Sequence, residues 1–326
     1  MKPYKEPNNA QNKHPPTVRL IRKSVTAITA AILLGMGLAA APANADTTTN
    51  DLPDHIVNGD FEYPKGLLPH SVNKTFLQQF AQPSAYPEWE AAWGGNFTYI
   101  TRYDGTYFDQ SNCPMAGLTY GTPCWKTISG FDASKFAWDS SQTTDTTGPE
   151  HKKGAVEIQQ DSQTGNIYAE IVAVQPGRSI YQDIATIPGA VYTVSLKHAS
   201  LNDSNIDKLS VMIGAPGKEQ PVEMTRETTN GNGDKIGETS TVIATKVSNT
   251  YDGNRDNDRK HSGQWETYTG AYTIPAGQTV TRFTFKSVGS ADTNHGNLVD
   301  DIRFEISYPL HYDLKGGTGT APQQHN

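Results

Sequence analysis

An all-β sandwich is the fold class this sequence predicts, and three observations carry the prediction. From Gly154 onward, short runs of β-branched and aromatic residues alternate with turns rich in Gly, Pro, Asn and Asp. No helical period of useful length separates them, which argues against an α/β enzyme fold. The last run, Gly296 to Glu305 (GNLVDDIRFE), places Leu298, Asp300, Ile302 and Phe304 on one strand parity. That reads as an apolar face carrying one carboxylate, Asp300. A bare carboxylate on a core face is costly unless it is paired or bound to a metal. A matching acidic fragment, Asn58-Gly-Asp-Phe-Glu62, opens the folded part. The two are read as the first and last strands of one sandwich, with their carboxylates meeting at a cation.

Taken in order, the chain begins with a targeting segment. A basic stretch precedes the apolar run Ala27 to Ala41, and Ala43-Asn-Ala45 is an A-x-A cleavage signal. Residues 1–45 are therefore expected to be removed as a signal peptide. The apolar run is short of the roughly 20 residues a membrane span needs, so no span is expected after cleavage. Residues 46–54 form a polar linker, and residues 55–308 the folded domain. Asn73 to Ala81 has the pattern of a short helix, and Phe97 to Ile100 that of a strand. Tyr103 to Trp138 has no clear period and reads as a long aromatic excursion. Strands are then expected at 155–158, 169–174, 179–184, 190–198, 209–213, 265–274, 280–287 and 297–306. Glu223 to Val247 reads as an inserted hairpin turning at Asn230-Gly-Asn-Gly-Asp234.

Beyond residue 45 the chain holds 21 Lys and Arg against 33 Asp and Glu, a net charge of about −12. This argues against nucleic acid or an anionic membrane surface as partner. It suits a secreted, extracellular protein that binds cations. Two cysteines in an exported chain, Cys113 and Cys124, are expected to form one local disulfide across the aromatic excursion.

Several short motifs together resemble the galactose-binding-like jelly rolls and carbohydrate-binding modules of Gram-positive bacterial cell-surface proteins. They are Asn58-Gly-Asp-Phe-Glu62, Gly165-Asn-Ile-Tyr-Ala-Glu170, Ser179-Ile-Tyr-Gln-Asp-Ile184 with Ile187-Pro-Gly189, Trp265-x-x-Tyr-x-Gly-x-Tyr-x-Ile-Pro-Ala-Gly277, and Gly296-Asn-Leu-Val-Asp-Asp-Ile302. The resemblance implies a jelly-roll β-sandwich in which a structural calcium joins the first strand to the last. Carried over, it implies Glu62 and Asp300 as side-chain ligands, with Asp60 and Asp301 as further candidates. Ca²⁺ takes six to eight oxygens, partly from main chain, which suits such a set. The tail, residues 309–326, contains Tyr312-Asp-Leu-Lys-Gly-Gly-Thr-Gly-Thr-Ala-Pro322, which resembles the opening of an internalin-type β-grasp repeat. No sorting signal follows it, so association with the cell wall is left open.

For ligand binding, the aromatic stretch is the main candidate. Trp125, Trp138, Tyr103, Tyr107 and Tyr120 are expected to supply a platform for sugar rings, whose C–H faces pack on indole and phenol. Trp89 and Trp93 fit the core better. Asp252 to Asp258 imitates an EF-hand loop but lacks its Gly and its bidentate Glu. No His-Glu-x-x-His, Gly-x-Ser-x-Gly or phosphate loop occurs. The expected function is a non-catalytic, adhesin-like surface module that binds glycan or a host ligand. A structural stalk is the first alternative. The second is a polysaccharide-active enzyme using paired carboxylates such as Glu157 and Glu170.

Overall fold

The computed structural model describes residues 52–68, 97–109, 124–144, 152–160, 165–171, 177–200, 206–229, 233–245, 265–289 and 296–307. The chain divides into two units, 1–46 and 47–326, and only the second contains described residues. The expected helix at 73–81, Trp89, Trp93, the targeting segment, the EF-hand-like loop and the tail from 309 lie outside them.

Among the described residues sixteen strands follow one another. They are β1 (Phe97–Thr101), β2 (Thr106–Phe108), β3 (Trp125–Thr127), β4 (Asp139–Ser140), β5 (Ala155–Gln160), β6 (Ile167–Ile171), β7 (Ser179–Ala185) and β8 (Val191–Ser200). Then come β9 (Lys208–Gly214), β10 (Gln220–Pro221), β11 (Met224–Arg226), β12 (Thr239–Ser240), β13 (Ile243–Ala244), β14 (Glu266–Thr273), β15 (Val280–Gly289) and β16 (Asn297–Ser307). A single-turn helix, α1 (Ala133–Phe136), is capped by Asp132, whose carboxylate accepts from the Ser134 N–H. No helix among the described residues is long and apolar enough to cross a membrane.

The strands form two antiparallel sheets. The larger runs β12-β11-β14-β8-β16-β6-β5-β1-β2-β3, and the smaller runs β10-β9-β15-β7-β4, with β13 also paired to β9. The protein is an all-β sandwich, as expected. Alternation explains the pairing of the faces. Val156 and Ile158, Ile167 and Ala169, and Val194 and Leu196 from the large sheet bury against Ile180, Ile184, Val211, Ile213, Phe283 and Phe285 from the small one. The excursion from Tyr103 to Trp138 supplies edge strands β2 and β3 and helix α1. The expected hairpin is present as β11 paired with β12, Met224 facing Ser240.

Two expectations about the ends of the domain are corrected. Asn58 to Glu62 is a tight turn and not a strand, with Asn58 at φ 53° and Phe61 at φ 54°. Asn tolerates this left-handed conformation, and here its side chain is fixed by Tyr63 N–H to Oδ1 at 2.9 Å and Nδ2 to Tyr63 O at 3.0 Å. The turn still meets β16: the Ile302 N–H donates to Gly59 O at 3.0 Å. Gly59 must be glycine, because a Cβ there would lie 2.0 Å from Ile302 O.

The second correction concerns β16 itself. Its register against β8 shifts between Asp300 and Arg303, and Asp301 sits at φ 48°. This bulge reverses the parity of the strand. Val299, Ile302 and Phe304 face the inter-sheet core, while Leu298 belongs to a separate cluster with Tyr168 and Ala199. Asp300 therefore shares a face with Leu298 and not with Ile302 or Phe304.

Candidate functional site

The large sheet has a second face, turned away from the small sheet, and it is chemically mixed. Strand register lays out a straight row across it: Ala199 on β8, Leu298 on β16, Glu170 on β6, Glu157 on β5 and Tyr99 on β1. A second row runs Tyr168, Gln159, Phe97. Two glutamates thus stand directly opposite each other at the middle of a row with apolar and aromatic ends. Directly opposed residues on one face of an antiparallel pair have Cβ atoms about 5 Å apart.

The polar groups of this face are bound to one another. Gln159 Nε2 donates to Glu157 Oε1 at 3.2 Å and to Glu170 Oε2, and Tyr168 O–H donates to Gln159 Oε1 at 3.2 Å. Glu170 Oε1 lies against the Gly296 backbone, whose N–H favours the charged form, but it makes no hydrogen bond of normal geometry. Gly296 comes this close only because it lacks a side chain; a Cβ would meet Ile171 O at 2.3 Å. Burial holds the Glu170 carboxyl well above its ordinary range, reinforced by the charges of Glu157 and Asp207. The interaction with the Glu157 carboxyl raises it further.

Aromatic rings flank the carboxyl pair. On one side Phe97, Tyr99, Phe108 and Trp125 form a cluster, with Phe108 and Trp125 centroids 5.7 Å apart. On the other side the half-buried Trp265 meets Tyr168 edge-on at 5.3 Å. At the sheet edge Lys152 Nζ lies 4.8 Å from the Trp125 ring and 5.4 Å from the Tyr103 ring. Its charge is taken up by Asp104 Oδ2 at 2.5 Å.

The expected platform is accordingly divided. Trp125 and Tyr103 lie together at the edge of the large sheet, with Tyr103 63% exposed. Trp138 and Tyr107 do not join them: both side chains belong to the inter-sheet core, Trp138 with no exposed surface. The reason is alternation. Tyr107 takes the opposite parity to Phe108 on β2, and Trp138 follows the left-handed Ala137 that closes α1. Tyr120 lies outside the described residues, as does Cys113. Cys124 is fully buried against Phe97 and Phe108. Sequence reasoning named Glu157 and Glu170 but did not place Gln159, Tyr168 and Trp265 beside them. The signal was the polar parity within β5 and β6, whose other parity is apolar but for Gln160.

The four carboxylates expected to hold a cation have separate partners. Glu62 Oε1 accepts from the Ile167 N–H at 3.3 Å, and Asp300 Oδ2 accepts from Asn166 Nδ2 at 2.9 Å. These two therefore reach adjacent residues at the start of β6. Lys65 Nζ lies between Glu62 Oε2 and Gly165 O, 3.1 Å from each. Asp60 instead accepts from the Glu62 N–H at 3.3 Å, and Asp301 pairs with Lys197 at 2.5 Å. Burial raises the Asp300 carboxyl to about 7, against the lowering effects of Asn166 and the Asp301 N–H. Among the described residues no three His, Cys, Asp or Glu side chains converge as a metal cluster. Glu62 and the Gly165 carbonyl already hold an ammonium, and Asp300 reaches the neighbouring Asn166. These oxygens are right in kind for Ca²⁺, with further main-chain oxygens needed to complete its shell.

No family model and no curated protein matches the sequence. Among solved structures, a family 4 carbohydrate-binding module aligns over 44% of this chain and 73% of its own, at 16% identity and a TM-score of 0.25. The N-terminal cellulose-binding domain of a Cellulomonas fimi β-1,4-glucanase aligns over 54% of this chain and 91% of its own, at 14% identity and a TM-score of 0.26. A family 22 xylan-binding domain from Paenibacillus barcinonensis aligns over 53% and 88%, at 13% identity and a TM-score of 0.25. Three further matches are to parts of larger proteins, of which 15–27% is covered. These values are too low to bear on the ligand of this chain, and its fold rests on its own strand pairing.

Proposed function

We propose that this protein is an exported, non-catalytic surface module of a Gram-positive bacterium that binds glycan through the second face of its large sheet, in an adhesin-like role. One observation carries the reading: hydrogen-bonding side chains in two adjacent rows, Glu170 with Glu157 and Tyr168 with Gln159, each 6% exposed or less and flanked on both sides by aromatic rings, on the face turned away from the small sheet. Carbohydrates are bound by this combination, with rings packing on the C–H faces of the sugar and polar groups taking its hydroxyls. Trp125 and Trp265 mark the two ends. A glycan array screened with the purified protein should yield a ligand, and Trp265→Ala and Trp125→Ala should each weaken it about tenfold or more, as hot-spot aromatics do. Unaltered affinity in both variants would place the ligand elsewhere. Release of reducing sugar from a common polysaccharide would replace the binding reading with an enzymatic one.

The disulfide between Cys113 and Cys124 and a structural Ca²⁺ belong to the same proposal. The ion would draw on Glu62, Asp300 and Gly165 O and displace the Lys65 ammonium. It would join the opening turn to β16 at the point where Ile302 already bonds to Gly59. A ligand bound only by the native state stabilises it by mass action, by about 2.7 kcal/mol at one hundred times its Kd. Adding EDTA should therefore lower the melting temperature by several degrees, and restoring calcium should reverse the loss. A melting temperature indifferent to both would exclude the ion.

A further inference from the structure

Resting on the calcium reading above, we propose that Lys65 is a built-in competitor for the ion: its ammonium holds the seat when calcium is scarce and so sets how much calcium the clasp requires. The local chain builds the seat. Lys65 opens the single 3₁₀ turn Lys65–Leu67, and its N–H donates to Glu62 O at 3.1 Å. That turn brings residues 62 and 65 to one side, where Lys65 Nζ donates to Glu62 Oε2 at 3.1 Å. The same ammonium donates to Gly165 O at 3.1 Å. Glu62 is held through its other oxygen by the Ile167 N–H at 3.3 Å. Gln160 marks the buried side. It is 1% exposed, its Nε2 donates to Gly165 O at 3.5 Å, and its Oε1 accepts no hydrogen bond. A buried amide oxygen without a donor is a group that a cation satisfies.

The exchange needs no separate cavity, because the space is that of the ammonium itself. The Lys65 and Glu62 side chains keep 37% and 41% exposure, so the ammonium has a way out to solvent. An ion pair this exposed holds little, about fivefold at most against a lysine released into water. Glu62 Oε2, Gly165 O and Gln160 Oε1 are a carboxylate, a main-chain carbonyl and an amide oxygen, three of the ligand types Ca²⁺ takes. Asp300, bonded to the neighbouring Asn166 at 2.9 Å, adds a second carboxylate nearby. The seat thus carries positive charge in either state. Lys65 keeps the opening turn tied to the start of β6 without the metal, and fixes the calcium concentration at which it gives way.

The test compares the purified full chain with its Lys65→Met and Gln160→Met variants, using calcium chloride as the probe. In calorimetric titration Lys65→Met should bind calcium about fivefold more tightly than the unaltered chain. Gln160→Met should bind it about tenfold more weakly. In EDTA, Lys65→Met should melt a few degrees below the unaltered chain, and saturating calcium should close the gap. An acylating reagent, read by peptide mass spectrometry, should modify Lys65 several times faster in calcium than in EDTA, because the ammonium has moved to solvent. Calcium affinity that is equal or weaker in Lys65→Met would overturn the competition while leaving the calcium reading intact. Unchanged affinity in Gln160→Met would overturn the seat as drawn. Indifference of all three chains to calcium would sink the calcium reading, and the competition with it. Should a variant fail to fold, labelling of the unaltered protein decides the matter, and a Lys65 rate indifferent to calcium overturns the proposal.

Discussion

Trp138→Ala should unfold the domain more readily than any substitution on the candidate glycan face. Trp138 has no exposed surface, stacks on Phe61 at 5.1 Å and meets Phe285 edge-on at 5.9 Å. Its Nε1–H donates to Asn58 O at 2.8 Å. Phe61 belongs to the opening turn and Phe285 to the small sheet, so one indole packs the turn, α1 and a sheet together. Truncating a buried Trp to Ala costs about 3–5 kcal/mol, and the Asn58 carbonyl would lose a partner as well. In a domain of this size that is roughly 10 °C in melting temperature or more. Denaturant titration of Trp138→Ala beside Trp125→Ala checks this. The first should lose stability heavily. The second, half-exposed at the sheet edge, should lose little stability while losing ligand. The reverse order would mean that the indole at 138 is not the packing centre.

Arg226→Met should cost a comparable amount through a different mechanism. Arg226 is 7% exposed and Glu266 wholly buried, and the two form an ion pair between β11 and β14. The guanidinium also lies 5.0 Å from the Tyr268 ring and donates to Ala244 O at 2.9 Å. Around it runs a buried network. His198 Nδ1 bonds to Thr245 Oγ1 at 2.8 Å, Thr245 Oγ1 to Tyr268 O–H at 2.8 Å, and His198 Nε2 to Asn297 Oδ1 at 2.9 Å. Burial holds the His198 imidazole down at about 4, so it is neutral at ordinary pH and does not compete for Glu266. Removing the arginine leaves a buried carboxylate without a counter-ion, a loss of about 3–5 kcal/mol. The double variant Arg226→Met/Glu266→Gln should recover most of it, because the cost lies in the stranded charge. Chemical denaturation of the two single variants and the double would measure the coupling. A double variant as unstable as Arg226→Met alone would show that packing, and not charge, was lost.

Much of the fold was legible because alternation is local. Thr281 to Lys286 reads as a half-buried strand from its own residues, and β5, β7, β8, β9 and β14 lie where the pattern places them. What alternation cannot register is an extra residue. The bulge at Asp301 leaves the text of β16 unchanged yet turns Asp300 from the core to the opposite face. The opening turn was misread as a strand because Asn58 and Phe61 take left-handed angles, in a turn closed by the Asn58–Tyr63 hydrogen bonds and packed on the distant Trp138. The tryptophans divide in the same way. Trp125 and Trp138 sit in equally aromatic surroundings in the chain, and only the strand parity and the helix ending separate core from edge. The carboxyl pair was visible as two glutamates on neighbouring strands. That they stand opposite each other, with Gln159 between them, depends on the register of β5 against β6, which no single-strand pattern fixes.

The bulge has a consequence for what one strand can pack. It divides β16 into two stretches with separate obligations, Leu298 and Asp300 to the outward face, Ile302 and Phe304 to the interior. Both stretches are buried, but the first packs with Tyr168 and Ala199 and the second between the sheets. One extra residue thus lets a single strand serve two separate packed clusters.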